Sequence, residues 1–347
     1  MKPDIAPFSY VLPPSAAIAR WQRRFLVGIC LACATLLFVG GADLFHTRSF
    51  KYAWDLGHIV AGFVWTLLLL HAWPRLTAAS YRRQVLVLLL VCGIGGGMIE
   101  VLQGSFGRLS SWSDMGRNII GCLLTLAFLA PKRHTLARPW RRCLQIGAVG
   151  LLLIAALPLA LALIDEWTAW RRFPVLSDFE TAFEKDRWSG NATLSIDNAI
   201  VRHGQASLRI DLTTARYSGA ALNYFPGDWR GWHAIAFSIY NPDPEPLRLT
   251  CKINDRRHDI SGYRYTDRFN RSLVIAPGWH RVRIPLAEVA NAPLGRRMDL
   301  GRITEFNLFT VDLTAQRTIY LDDLALEPPS SPDTTPEIQT PGAQSRR

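Results

Sequence analysis

Long apolar runs fill the first half of the chain, and short runs of alternating polar and apolar residues fill the second. A helix that crosses a bilayer needs roughly 20 mostly apolar residues. Five stretches before residue 170 approach that length, and the fourth is the shortest. The pattern therefore predicts an α-helical transmembrane bundle of about five spans. These are residues 25–44, 54–72, 85–102, 115–129 and 143–164.

The first apolar stretch has two interpretations. It is either a signal peptide that ends near Gly41 and Ala42 or a retained membrane anchor. The 24 residues before it contain prolines and are long for a signal, which favours the anchor. Both interpretations leave the later spans in the same orientation.

The distribution of Lys and Arg predicts the orientation of the spans, because cytoplasmic loops carry the excess of basic residues. Twelve basic residues flank the spans on the side of the N-terminus, against six on the other side. The N-terminus is therefore predicted to be cytoplasmic in a multi-pass protein of the inner membrane. With five spans, everything after about Trp170 is extracytoplasmic. The twelve are Lys2, Arg20, Arg23, Arg24, Arg75, Arg82, Arg83, Lys132, Arg133, Arg138, Arg141 and Arg142.

Short alternating runs begin after residue 178 and are separated by Gly, Pro, Asn and Asp. In residues 207–212, for example, Leu208, Ile210 and Leu212 share one face, as in a half-buried strand. Such runs are typical of an all-β jelly-roll sandwich. The predicted strands are 192–196, 207–212, 234–240, 247–253, 280–284, 305–310 and 318–324.

Four regions follow from these patterns. Residues 1–24 form a cytoplasmic N-terminal segment and 25–170 the transmembrane domain. Residues 171–327 form the extracytoplasmic β-sandwich. The tail, 328–347, is rich in Pro, Ser and Thr and is predicted to be disordered.

The formal charge of +11 does not indicate nucleic-acid binding, because much of the basic excess lies in short loops beside apolar stretches. Five of the six cysteines also lie in or beside those stretches, and Cys251 is alone in the second half. No disulfide can therefore form within the predicted sandwich. Cys30 and Cys33 have CxxC spacing, but no second pair accompanies them, which argues against a metal site.

Polar residues at the ends of three spans are candidates for a functional site, because ionisable groups are costly in a bilayer. Within each pair, a spacing of three or four residues places the two side chains on one helical face. The predicted topology brings all of them to the external end. The alternative is that each residue only caps a helix end at the interface. The candidates are Asp55 and His58, Glu100 and Gln103, Asp114 and Asn118, with Arg108 in the loop between the third and fourth spans.

These motifs resemble the VanZ-like family of bacterial membrane proteins over roughly residues 50–130. The resemblance lies in Asp55-Leu-Gly-His58, Glu100-Val-Leu-Gln103, Arg108, Asp114 and Asn118-Ile-Ile-Gly121. It implies a membrane protein of a family associated with glycopeptide resistance, whose biochemical activity is not established. This chain has Leu56 where the family often has Lys.

In the second half, Tyr263, Tyr265, Asp267 and Arg268 lie in a polar loop stretch. Aromatic faces stack on sugar rings, and charged groups bind hydroxyls, so these four are candidate ligands for a glycan. The alternative is that the aromatic residues fill the sandwich core. Trp232, which leads directly into a strand, is assigned to that core.

The predicted sandwich resembles galactose-binding-like carbohydrate-binding modules. The resemblance lies in Asp178-Phe-Glu180, the segment from His203 to Ile210, and Leu321-Asp-Asp-Leu324. It implies a structural calcium, with Glu180 and Asp323 as oxygen ligands beside a carbonyl near Gly204.

The leading hypothesis is a cell-envelope protein that recognises an extracytoplasmic glycan or glycolipid. The polar cluster would then bind or process a lipid-linked head group. The alternative is a non-catalytic membrane anchor or assembly factor whose sandwich binds a protein. The sequence shows no Ser–His triad, phosphate loop or HExxH motif, so no reaction can be named.

Overall fold

The computed structural model describes residues 16–39, 47–105 and 112–329, with the side chains at several helix ends excluded. These residues form two compact units. The first contains the described residues up to Ala160, except 47–48, and the second contains 47–48 and everything from Leu161 onward. Residues 330–347 of the predicted tail, 328–347, lie outside the described residues.

Helices make up the first unit and overlap all five predicted apolar stretches. The short helix α3 was not predicted, and it begins with Pro74 at its first position, where proline is tolerated. The last helix contains Pro158 and continues into the second unit. The helices are α1 (Ala16–Val39), α2 (Arg48–Ala72), α3 (Pro74–Ala78), α4 (Tyr81–Ser105), α5 (Trp112–Phe128) and α6 (Arg138–Arg172).

Two helices in the described part of the chain, α2 and α6, are long and apolar enough to cross a membrane. This criterion concerns length and composition only. A region of helices is therefore confirmed, whereas the number of spans stays a prediction.

The core of the helical unit is small. It consists of Leu70, Leu76, Tyr81, Leu88, Cys122, Leu126 and Ala130. The Tyr81 hydroxyl donates a hydrogen bond to the Leu126 carbonyl at 3.1 Å, so α4 and α5 are also joined by a buried polar contact.

The second unit is a sandwich of two antiparallel sheets, which confirms the prediction of a β-sandwich after the helices. The six-stranded sheet has the order β3-β4-β11-β6-β9, with β1 also paired to β11, and the five-stranded sheet has the order β2-β5-β10-β7-β8. The strands are β1 (Val175–Ser177), β2 (Trp188–Ser189), β3 (Thr193–Asp197), β4 (Ser207–Leu212), β5 (Tyr217–Leu222), β6 (Ala234–Asn241), β7 (Leu247–Asp255), β8 (Phe269–Ile275), β9 (Gly278–Pro285), β10 (Ile303–Val311) and β11 (Arg317–Glu327). Two short helices, α7 (Arg256–Ile260) and α8 (Leu286–Asn291), connect strands.

Alternation along the strands builds the core between the sheets. In β4, Leu208, Ile210 and Leu212 are buried, as their shared face predicted. Trp229 and Phe237 are among the largest fully buried side chains. Trp232, predicted in the core, is only partly buried and packs against it.

Four strands were not predicted, and the reasons differ. β1 and β2 are too short to show alternation. β5 contains Gly219 and two alanines, which have weak strand propensity. β8 was not predicted because Asn270, Arg271 and Ser272 interrupt its apolar positions.

A buried ion cluster lies in the second unit around Asp165, which is 1% exposed. Arg187 contacts its carboxylate through Nε at 2.9 Å and Nη2 at 2.6 Å. Arg48 donates to the same carboxylate from Nη1 at 2.9 Å. One acid therefore serves two buried arginines, and Arg48 also reaches the exposed Asp186 at 3.3 Å.

Candidate functional site

The helical unit holds a connected group of charged side chains from α2 and α5. Arg117 contacts two carboxylates: its Nη2 lies 3.2 Å from Asp55 Oδ2, and its Nη1 donates to Asp114 Oδ1. His58 Nε2 lies 3.7 Å from the other oxygen of Asp114. We call Asp55, His58, Asp114 and Arg117 the polar cluster. All four side chains are less than a quarter exposed.

Helical spacing and close packing bring this cluster together. Asp55 and His58 are three residues apart, as are Asp114 and Arg117, so each pair lies on one face of its helix. Near the cluster, a Cβ on Gly62 would lie 2.2 Å from the carbonyl oxygen of Asn118. Only glycine allows the α2 and α5 backbones to approach so closely at this point.

Three of the seven predicted residues, Asp55, His58 and Asp114, thus lie in one group. Asn118 lies one helical turn further along α5, against Gly62. Glu100 and Gln103 lie in the part of α4 whose side chains are outside the described set, and Arg108 lies outside the described residues. These three predictions therefore stay untested.

Arg117 is the cation of the cluster, and the sequence reasoning missed it. The signal was present, because Arg117 follows Asp114 by three residues, the spacing of a helical ion pair. Chemically, the group can donate hydrogen bonds from Arg117 and exchange a proton at His58.

A second candidate site lies on the face of the five-stranded sheet that points away from the core. Along β10, Phe306 and Leu308 are buried between the sheets, so Asn307 and Phe309 point to the opposite face. Beyond Tyr217, the neighbouring β5 presents only Gly219 and Ala221 there. A Cβ on Gly219 would lie 2.1 Å from the Leu308 carbonyl oxygen, so this position excludes every larger residue.

On this face, the small residues of β5 lie between larger side chains, and the space above them is an open groove of about 450 Å³. Gly219 and Ala221 are among the residues that line it. Tyr217 and Phe309 form an aromatic wall, with ring centroids 6.0 Å apart. The polar side chains that line it are Asn191, Lys252, Arg268 and Asn307, together with Ser218 and Tyr217.

Most polar groups of the groove are held by neighbours. Lys252 Nζ lies 2.7 Å from Glu305 Oε2, and the other oxygen of Glu305 accepts a hydrogen bond from Asn307 at 2.9 Å. Arg268 differs, because its guanidinium packs over the Tyr265 ring at 5.2 Å and its buried Nε has no hydrogen-bond partner among the described residues. A groove of this kind can bind a ring by its face and donate hydrogen bonds to attached oxygens.

The four predicted glycan ligands lie in different surroundings, and only one of them lines the groove. Arg268 lines the groove, and Tyr265 supports it from the side. Tyr263 is 68% exposed and lies edge-on to His258, with ring centroids 5.7 Å apart. Asp267 accepts hydrogen bonds from Arg296 and from Ser261 at 2.9 Å, and the bond from Arg296 holds the pKa of this carboxyl below its usual range.

The two predicted calcium ligands bind different protein donors. Glu180 accepts from the backbone N–H groups of Gln205 at 2.7 Å and Ala206 at 3.1 Å. Asp323, at positive φ, contacts the His203 ring and accepts from Ser238 at 3.3 Å.

The neighbouring Asp322 is the buried carboxylate of this region. It accepts from the N–H groups of Arg202 at 2.8 Å and His203 at 3.1 Å, and burial raises its pKa. Within the described part of the chain, no group of three or more His, Cys, Asp or Glu side chains could hold a metal ion. Glu180 and Asp323 therefore do not form a ready ligand shell, and the calcium stays a prediction of the resemblance.

No protein-family model matches this sequence, and neither does any curated protein. Several solved structures are similar to part of the chain. A family 11 carbohydrate-binding module from Clostridium thermocellum, solved with a β-1,3-1,4-mixed-linked tetrasaccharide, is 18% identical over 44% of this chain and 94% of the module, with a TM-score of 0.35.

Two further solved structures extend the comparison. A family 30 carbohydrate-binding module of a Clostridium thermocellum cellulase is 14% identical over 42% of this chain and 93% of its own length, with a TM-score of 0.33. An exo-β-agarase is 18% identical over 45% of this chain, with a TM-score of 0.37. The match spans a quarter of the agarase, and in all three cases it covers less than half of this chain.

Proposed function

We propose that this protein is a multi-pass protein of the bacterial inner membrane whose extracytoplasmic sandwich binds a glycan in the sheet groove. The observation that carries the proposal is the groove itself. It combines the Tyr217–Phe309 wall, floor residues as small as Gly219, and hydrogen-bonding side chains such as Asn307 and Arg268. Sugar rings need an aromatic face together with convergent polar groups, and this groove offers both.

The membrane part of the proposal is supported by the outward surfaces of the helices. Large apolar side chains are more than half exposed on several of them, including Leu31 on α1, Leu86 and Ile94 on α4, and Ile154 on α6. Water would make such surfaces unfavourable, whereas lipid would not. The excess of Lys and Arg on the N-terminal side of the spans favours a cytoplasmic N-terminus and five spans.

The polar cluster is assigned, within the same proposal, to the head group of a lipid-linked glycan. Arg117 is positioned between two carboxylates, and His58 lies beside one of them, so the cluster can exchange protons as well as hydrogen bonds. The resemblance of this region to the VanZ-like family is part of the proposal. The reaction, if the cluster catalyses one, would be lost on Asp114→Asn, whereas a purely structural cluster would tolerate that change.

Glycan binding is tested on the full-length protein in detergent with an array of bacterial and plant oligosaccharides. We expect Tyr217→Ala to weaken binding about three- to tenfold, the range of one aromatic contact. Tyr263→Ala is the matched control, because Tyr263 is exposed but does not line the groove. If Tyr263→Ala weakened binding and Tyr217→Ala did not, the exposed loop and not the groove would be the site. Absence of binding to every oligosaccharide would refute the glycan proposal.

A second candidate function is a non-catalytic anchor or assembly factor that binds a protein. Ile260 and Leu294 are 80% and 75% exposed. Ser261, which follows Ile260, donates to Asp267 at 2.9 Å, and Leu294 N donates to the Thr266 carbonyl, so both residues lie near the 265–267 turn and define an exposed apolar surface there. Ile260→Ser with Leu294→Ser separates the two functions. The double variant should keep glycan binding if the groove is the site, and lose a co-purifying protein if this surface is an interface.

A further inference from the structure

The charged side chains that line the groove are both positive. Among the residues that line it, the charged ones are Lys252 and Arg268, and no described acidic side chain lines it. Glu305 offsets Lys252 at 2.7 Å. Arg268 has no carboxylate within 4.0 Å among the described residues. The groove therefore presents one uncompensated guanidinium to whatever occupies it.

Two buried polar atoms without hydrogen-bond partners lie on the β8 side of the groove. Arg268 Nε and Asn270 Oδ1 are buried with no hydrogen-bond partner in the described part of the chain, and Asn270 lies opposite Lys252 in the β7–β8 pairing. Asn254 Oδ1 and the ring nitrogens of His258 also have no hydrogen-bond partner there, but these fully buried side chains do not line the groove, and His258 Nδ1 lies 3.8 Å from Asp267 Oδ2. Buried polar groups are almost always hydrogen-bonded, so the unpartnered Nε of Arg268, a residue that lines the groove, points to a bound polar group.

The electrostatics of His258 agree with an excess of positive charge. Burial lowers the pKa of the imidazole, and the nearby Lys252 and Arg268 lower it further, although Asp259 and Asp267 oppose them. The lowered pKa favours the neutral imidazole, so Lys252 and Arg268 supply the positive charge of this region.

We infer that the glycan taken by the groove carries an anionic group, a carboxylate or a sulfate, and that Arg268 binds it. This inference rests on the proposed function. A guanidinium presents paired N–H donors that match two oxygens of such a group, which a neutral hydroxyl cannot. Tyr265 fixes the guanidinium plane, while Tyr217 and Phe309 leave room for the sugar ring.

The test uses matched pairs of ligands with the full-length protein. One pair is cellotetraose and its C6-oxidised tetrauronate, and the other is a κ-carrageenan tetrasaccharide before and after desulfation. We expect the anionic member of at least one pair to bind about tenfold tighter or more, the ratio that one charge-assisted hydrogen bond gives. The pair that shows the preference distinguishes carboxylate from sulfate.

Substitutions of Arg268 then test whether this residue causes the preference for the anionic oligosaccharide. Arg268→Gln should abolish the difference between the two members of the pair, and Arg268→Lys should retain part of it. Arg248→Gln is the matched control, because Arg248 is an exposed arginine of β7 that does not line the groove. Thermal unfolding verifies that each variant is folded.

Each outcome decides between the two claims. Equal binding of neutral and anionic members would overturn the inference and leave glycan binding intact. A preference that survives Arg268→Gln, or that Arg248→Gln removes as completely, would overturn it as well, because general attraction to a basic protein would then explain it. Absence of binding by all four oligosaccharides and by the wider array would refute the proposed function, and the inference with it.

Discussion

The two units place the same apolar residue types in opposite environments. Ile239 in β6 is fully buried between the sheets, whereas Ile154 in α6 is 69% exposed. In the sandwich, polar side chains such as Asn307 are left to the outer face, while in the helical unit they gather in the polar cluster between helices. The sandwich thus buries its apolar side chains, whereas the helical unit exposes many of its own, as the proposed lipid environment requires.

Buried charge differs between the units as well. Asp165, in the sandwich unit, is almost inaccessible and is satisfied by Arg48 and Arg187. In the polar cluster, Arg117 and its acidic partners are about one-fifth exposed. Removing one member of a pair should therefore cost more stability in the first group than in the second.

The largest expected effect is that of Asp165→Ala. It leaves Arg187 buried without its carboxylate, and breaking a buried pair costs about 3–5 kcal/mol. The free energy of unfolding of the sandwich is measured by urea-dependent labelling of Cys251, which is fully buried. Asp186→Ala is the control, because Asp186 contacts Arg48 but its side chain is 62% exposed. A loss of equal size in both variants would contradict the special role of Asp165.

The direct comparison of apolar residues uses Ile239→Ala and Ile154→Ala. The first opens a cavity in the core and should cost about 2–5 kcal/mol. The second removes an outward side chain and should change stability in detergent by less than about 0.5 kcal/mol. Thermal unfolding of full-length variants checks both. A large loss from Ile154→Ala would show that its face of α6 packs against protein.

A smaller effect is expected in the polar cluster. Arg117→Gln and Asp55→Asn should each cost about 1 kcal/mol, the scale of a partly exposed ion pair. Combined, they should cost less than the sum of the single losses, because the second change removes a partner that has already lost its contact. Strict additivity in a double-mutant cycle would mean that the two residues act separately.

The smallest expected effect is on how the stability of the sandwich depends on pH. Burial alone would raise the pKa of Asp255, but hydrogen bonds from Arg296 and from the N–H groups of Asp299 and His258 outweigh it and lower the pKa. The pKa of Asp267 is also lowered. Both carboxylates therefore stabilise the fold above about pH 4, their unfolded pKa, and this contribution is lost as the pH falls below it.

Arg296→Gln tests this dependence. It should lower the unfolding temperature more at pH 6 than at pH 3, because at pH 3 part of the contribution is already lost. Arg302→Gln is a control of equal charge change, since the Arg302 side chain is 71% exposed. An Arg296→Gln effect that did not vary with pH would show that these ion pairs do not set the acid sensitivity.

Much of the fold could be predicted because periodicity is local. The alternation of Leu208, Ile210 and Leu212 fixed the buried face of β4 within six residues. Long apolar runs likewise predicted the positions of the helices. β5 was not predicted, because its small residues are required by the close approach of β10 and not by any pattern of neighbouring residues along the chain.

The candidate sites were less accessible to sequence reasoning. Asp55, His58 and Asp114 could be grouped from helical spacing and an assumed topology, and the structure places all three in the polar cluster. Arg117 was missed, although its spacing from Asp114 indicated a pair. In the sandwich, the sequence pattern predicted Tyr263 as a ligand because it lies in a loop with other aromatic residues. The Tyr217–Phe309 wall was missed, because its two members are 92 residues apart in the chain.

The sequence by itself determined where the long helices lie, where seven of the eleven described strands lie, and which face of a strand such as β4 is buried. These properties depend on residues that are neighbours along the chain. Tertiary structure alone decided which distant residues meet: Tyr217 with Phe309, and Asp165 with Arg187 and Arg48. The physical reason is that strand pairing and burial couple residues far apart in sequence, and it is these couplings that shape a groove or neutralise a buried charge.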